Sequence, residues 1–148
     1  MKDLSHTDKE GRARMVGVGK KPDSYRKASA SGSIKLLPGT VDLIRKNEMK
    51  KGDVLTVAEI AGVQAAKKTS ELIPLCHNIV LNKVAVTATL DIAGVKVECL
   101  AESFGKTGVE MEALTGVSVA LLTIYDMCKA VDKQMLINNV SLIEKIKK

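Results

Sequence analysis

The sequence predicts an α+β protein built on one antiparallel sheet with its helices on a single face, and three observations carry that expectation. Residues 79–90 alternate branched and small side chains, and Val95 to Leu100 alternates again after an Asp91-Ile92-Ala93-Gly94 turn, as a β-hairpin requires. Residues 108–132 hold no proline and repeat apolar residues at Val109, Ala113, Val117, Ala120, Leu121, Ile124, Cys128 and Val131, the spacing of one helix face. Alternating stretches at Ser33–Leu37 and from Leu136 to about Ile146 add a strand at each end of the domain.

Taken in order, the first 31 residues are polar and basic, with Arg12, Arg14, Lys20, Lys21, Arg26 and Lys27 scattered among glycines ahead of a Ser-Ala-Ser-Gly-Ser run. So little apolar surface does not fold by itself, so residues 1–31 are expected to form a flexible arm and residues 32–148 a single domain. Pro38-Gly39 closes the first strand, and Thr40 caps a helix through Val41, Leu43 and Ile44 to about Met49. Lys50-Lys51-Gly52 stops it. Asp53 caps a second helix running through Val54, Val57, Ile60, Ala61, Ala65 and Ala66 to about Glu71, with small residues suited to close packing. Pro74 ends that region, and Leu75-Cys76-His77 follows. The order strand, helices, strand, strand, helix, strand is βαββαβ, the ferredoxin-like arrangement. It leaves one sheet face bare, and a second subunit is its expected cover.

Composition narrows the function. A chain of 148 residues suits one domain, and its net charge of +6 favours an anionic ligand. With no tryptophan and one phenylalanine it lacks the stacking platforms of single-strand binders, and the hairpin carries no aromatic residue for RNA. Cys76, Cys99 and Cys128 form no Cys-x-x-Cys pair, so they are expected to be reduced thiols. The N-terminus has no signal-peptide core and no run is read as reaching membrane-span length, so a cytoplasmic, membrane-free protein is expected.

Several side chains can carry chemistry. Glu112 and Asp126 lie fourteen positions apart on the long helix, about 21 Å along its axis and nearly on one face. They cannot share a proton; they serve either two ends of a long ligand or a site completed by a second copy. Asp126 and Lys129 meet at i, i+3, as an ion pair or as part of a site. Gly105-Lys106-Thr107-Gly108, between strand and helix, is either an anion-holding loop or a tight turn, and is not a Walker A motif because Leu100 stands where glycine is needed. His77 is either a core residue bonded to backbone or a general acid/base. Lys51 alone reads as surface, and Lys67 and Lys68 as a solvated helix end or a phosphate grip.

Three blocks carry a resemblance to a known family. They are Lys51-Gly52-Asp53-Val54 leading into Ile60-Ala61-Gly62 and Ala65-Ala66-Lys67; residues 72–77, Leu-Ile-Pro-Leu-Cys-His; and residues 105–115 with Tyr125-Asp126-Met127-Cys128-Lys129. In this order, across residues 15 to about 143, the chain resembles the cyclic pyranopterin monophosphate synthases of molybdenum cofactor biosynthesis. The resemblance implies a phosphorus-oxygen lyase that converts a cyclised dihydro-GTP, supplied by an upstream radical enzyme, to a pyranopterin with a cyclic phosphate, releasing pyrophosphate. It implies no redox cofactor and no metal-ligating residues, and a homohexamer, a trimer of dimers, with sites at the dimer interface.

Carried over by position, Asp126, Lys51 and Lys129 are the expected catalytic residues. One lysine would donate a proton with its pKa lowered by the other, and Asp126 would be base or orienter. Leu75, Cys76, His77, Glu110, Met111 and Glu112 are the expected substrate contacts, with Lys67, Arg26 and Lys21 on the phosphates. The chain departs from the family pattern at Gly17 and Gly19 in the arm, at Ser24, at Asn78, and in stopping at Lys148.

Overall fold

The computed structural model describes residues 5–148. Its strands are β1 (Ser24–Lys35), β2 (Lys83–Leu90), β3 (Gly94–Gly105) and β4 (Leu136–Lys147). They form one antiparallel sheet in the order β2-β3-β1-β4, the ferredoxin-like order. Its helices are α1 (Pro38–Arg45), α2 (Val54–Lys67), α3 (Thr69–Leu72) and α4 (Glu110–Cys128). Helix α4 packs across β1 and β3, and α2 lies over β2 and against α4.

The first strand is the main correction to the sequence reading. It begins at Ser24, so residues 24–31, expected to belong to the arm, pair with β3, and residues 26–31 pair with β4 as well, with Ala28 opposite Ala101 in β3 and Lys145 in β4. Alternation of small residues hides the strand in the sequence, yet the small side chains are what the position demands. Ala28 and Ala30 are fully buried beneath α4, and a Cβ on Gly32 would come 2.8 Å from Leu121 and 3.0 Å from Val117. The helix sits close because this strand gives it room.

Other boundaries shift for local reasons. Pro38 opens α1 at the first turn, and Thr40 lies inside the helix instead of capping it. Asp53 caps α2 as expected, accepting from the Thr56 N–H at 3.1 Å. Residues 79–82 stay outside β2, and β3 runs on to Gly105. Helix α4 ends at Cys128, which leaves Val131 off its apolar face and 47 % exposed.

At 19 residues and a mean hydropathy of 1.3, α4 is long and apolar enough to cross a membrane, against the expectation that no run is. Here it is the core helix, burying Ala113, Val117, Ala120, Leu121 and Ile124. It meets α2 at two glycines: a Cβ on Gly62 would lie 2.9 Å from the Gly116 carbonyl oxygen, and one on Gly116 would lie 2.6 Å from Cys99 Sγ. The sheet face away from the helices is open in the single chain. An exposed depression of ≈ 610 Å³ there is lined by Ser29, Thr87, Glu98, Leu100, Ile143 and their neighbours.

Candidate active site

The expected site residues fall into two groups, one at each end of α4. At its C-terminal end Asp126 bridges two lysines. Lys51 comes from the loop between α1 and α2, and its Nζ donates to Asp126 Oδ2 at 2.8 Å and to the Asp126 main-chain oxygen at 3.2 Å. Lys129, one turn further along, reaches Oδ1 at 2.8 Å. Each carboxylate oxygen therefore takes one ammonium. All three side chains are about half exposed, at 49 %, 54 % and 59 %, so the cluster opens to a ligand.

Electrostatics assign the protons. Hydrogen bonds from Lys129 and Lys51 hold the Asp126 carboxyl down at about 2, so it is an anion at any physiological pH. The same hydrogen bond and charge push the Lys129 ammonium above its ordinary value. This corrects the expectation for Lys129: Asp126 lies between the lysines, and its hydrogen bond and charge raise that pKa where the neighbouring lysine was expected to lower it. A carboxylate held so low is a weak base, and each of its oxygens already accepts from an ammonium.

At the N-terminal end, the first turn of α4 faces the loop after α3. Glu112 is only 4 % exposed, and burial followed by the charge of Glu110 raises its pKa. Burial also raises the Cys76 thiol, with a further contribution from the Glu112 charge. Burial pushes Glu110 up as well, yet the ion pair with Lys145 at 2.9 Å and the nearby Arg26 bring it below its ordinary value. Leu75 and Met111 are exposed at 39 % and 37 %.

His77 has one ring nitrogen engaged, since its Nε2 meets the Val16 carbonyl oxygen at 2.5 Å; a carbonyl can only accept, so Nε2 carries the hydrogen. The arm is thereby tied across this end. Lys106 holds the arm too, donating to the Lys21 carbonyl oxygen at 2.7 Å and pairing with Asp23 at 3.4 Å. The Gly-rich turn thus grips its own chain. Arg26 projects from β1 and donates to the Lys106 carbonyl oxygen at 3.3 Å, while its Nε, like Ser24 Oγ, is buried with no partner among the described residues. Lys21 is exposed on the arm. Lys67, the last residue of α2, borders an open groove of ≈ 540 Å³ with Val63, Ile79, Leu81 and Lys83. His6 lies in a small N-terminal turn and joins neither group.

Sequence reasoning missed Lys145 and Asp132. Lys145 reaches Glu110 from β4, and no local pattern announces that pairing. Asp132, expected at the very end of the long helix and given no role, is buried just past α4. Among the described residues no group of three or more His, Cys, Asp and Glu side chains is placed to hold a metal ion.

Fold and site together define a ferredoxin-like protein with a lysine–carboxylate–lysine cluster at one end of its core helix and a buried Glu112 with Glu110 and a histidine at the other. The chain belongs to the MoaC family, whose pattern it matches over residues 15–147. It is 54 % identical over 147 residues to a protein of Roseiflexus sp. (strain RS-1) named cyclic pyranopterin monophosphate synthase, covering 98 % of this chain and 93 % of that one. A protein of the same name from Peptoclostridium acidaminophilum is 51 % identical over 143 residues, covering 97 % and 91 %.

Proposed function

We propose that this protein is a cyclic pyranopterin monophosphate synthase, a lyase of molybdenum cofactor biosynthesis acting on a cyclised dihydro-GTP. Family membership and the two relatives support the activity. The single observation that supports the site is Asp126 carrying one ammonium on each oxygen.

The reaction needs protons moved to open and rebuild a purine-derived ring, and cations over a triphosphate that loses its terminal pair. Lys51 and Lys129, both aimed by Asp126, are the proton donors and the charge beside developing oxyanions, and the bond to Asp126 keeps Lys129 protonated. As a sugar oxygen bonds to the α-phosphorus, the bond to the departing pyrophosphate breaks, and cations stabilise the charge that collects there. Arg26, whose Nε has no partner among the described residues, Lys21 and Lys67 hold phosphate oxygens. Leu75, Cys76, His77, Glu110, Met111 and Glu112 contact the ring, with buried Glu112 suited to a ring N–H.

The two groups are separated by the length of α4, about 21 Å between Glu112 and Asp126. One substrate meets both most simply when the second group comes from another subunit. The assembly is accordingly a homohexamer, a trimer of dimers with sites at the dimer interface, and its open sheet face and exposed Phe104 and Ile143 are surfaces for such contacts. Sedimentation as a hexamer at micromolar concentration is expected, and a stable monomer would rule the shared site out. The protein works in the cytoplasm, where its free thiols stay reduced.

The activity is tested by supplying purified cyclised dihydro-GTP and following pyrophosphate and the pyranopterin. Formation of both is expected. Tight binding without turnover by the folded protein would favour a nucleotide-binding module instead.

A further inference from the structure

A carboxylate outside both groups connects the parts that carry the lysines. Asp132 is 1 % exposed. Its Oδ2 accepts from the Leu37 N–H at 2.9 Å and from Thr40 Oγ1 at 3.0 Å, and its Oδ1 accepts from the Gln134 N–H at 3.0 Å. Thr40 is itself 3 % exposed, so the carboxylate is enclosed together with its donors. Burial pushes its pKa up, yet the bonds from Leu37, Gln134 and Thr40 outweigh this and keep it an anion.

The arrangement fills a gap in α1. That helix has Leu37 at its N-cap and no side-chain cap of its own. Asp132 supplies one from 95 positions away, with its charge at the favourable end of the helix dipole. The same residue is anchored to α4 through its own N–H, which donates to the Cys128 carbonyl oxygen at 3.0 Å. The start of α1 is therefore clasped to the end of α4.

Both lysines hang from that clasp. Lys129 follows Cys128 directly. Lys51 leaves the far end of α1 through a short fixed path: Asn47 turns the chain at φ 54°, Met49 is buried at 7 % exposure, and the Gly52 N–H donates back to the Met49 carbonyl oxygen at 3.0 Å. A loosened α1 start carries this path with it. Position matters here because each Asp126 oxygen has a separate lysine to meet, and displacement by an ångström costs rate steeply.

We propose that Asp132 is a positioning residue for the Lys51–Asp126–Lys129 cluster, holding α1 against the end of α4 so that both lysines reach Asp126. Its bearing on turnover rests on the synthase reading above; its bearing on the geometry does not.

The test compares Asp132→Asn, Thr40→Val and Thr40→Ser with wild type. Asparagine turns an N–H donor towards N–H donors. Valine removes one of the three bonds and keeps the shape, and serine restores the hydroxyl. The deciding readout is the ¹³C carboxyl titration of Asp126, which a merely structural role leaves at about 2. It is expected to move up towards the ordinary 3.8 in Asp132→Asn and Thr40→Val and to return in Thr40→Ser. With the cyclised dihydro-GTP, kcat is expected to fall on the order of tenfold in both, with KM nearly unchanged. An Asp126 titration unmoved in a folded variant overturns the proposal, whatever happens to kcat or Tm. Should Asp132→Asn not fold, Thr40→Val decides alone. Absence of turnover by wild type would strike the synthase reading only, since the titration is read without substrate.

Discussion

Lys51 Nζ lies 2.8 Å from Asp126 Oδ2, tying a loop lysine to a helix end 75 positions away. An exposed pair of this kind adds little to stability. Its geometry is matched by a second lysine on the other oxygen, which makes sense for a site and not for a scaffold. Lys51→Ala and Asp126→Asn are therefore expected to keep Tm close to wild type while kcat falls on the order of a hundredfold or more. Circular dichroism melts beside pyrophosphate release check this; parallel losses of Tm and rate would make the pair structural.

The Asp126 carboxyl is expected to titrate at about 2 because two ammonium groups donate to it. Lys51→Ala and Lys129→Ala should each raise that midpoint towards 3.8, by ¹³C NMR. The sign for stability follows: this depressed carboxyl contributes fully above 3.8 and loses its contribution as pH falls towards 2. Asp126 therefore cannot produce an acidic limb of the activity profile near neutrality, and a limb at pH 6 to 7 that vanished in Asp126→Asn would contradict the assignment.

Glu112 has the opposite sign. Burial raises its pKa above the ordinary 4.5, so its contribution to stability is fully present below 4.5 and is lost as pH rises through the folded value. At neutral pH, keeping this carboxyl buried is a liability to the fold. Glu112→Gln is expected to melt higher than wild type at pH 7, with the difference shrinking towards pH 4, and yet to turn over more slowly. A variant less stable at pH 7 and fully active would remove Glu112 from the site.

The crossing of α2 and α4 depends on Gly62 and Gly116. Gly116→Ala places a methyl 2.6 Å from Cys99 Sγ and 3.3 Å from the Gly62 carbonyl oxygen, with buried strand β3 behind it. A loss of about 1–3 kcal/mol in chemical denaturation is expected. An alanine variant as stable as wild type would mean that the helices separate freely.

Much of this architecture was legible in the sequence because it is locally encoded. The hairpin alternates, Asp53 precedes the Thr56 whose N–H it caps, and α4 repeats its apolar face. The start of β1 was not legible, because Ala28, Ala30 and Gly32 are chosen for the helix above them and not for strand propensity. The proposed catalytic trio came from the resemblance, whereas spacing alone gave only the Asp126–Lys129 neighbour pair. Asp132 was hidden for a further reason: its partners Leu37 and Thr40 stand 95 and 92 positions earlier, beyond any local pattern.

The claim on which the rest turns is that the two ends of α4 serve one active site across two chains. Lys51→Ala and Glu112→Gln subunits, each impaired alone, should be co-assembled with distinct tags and assayed together. With random pairing half of the dimers are mixed and each mixed dimer has one intact site of its two, so activity is expected to recover to about a quarter of wild type. Mixed assemblies proven by tandem purification that stay as slow as their parents would contradict a site shared between subunits.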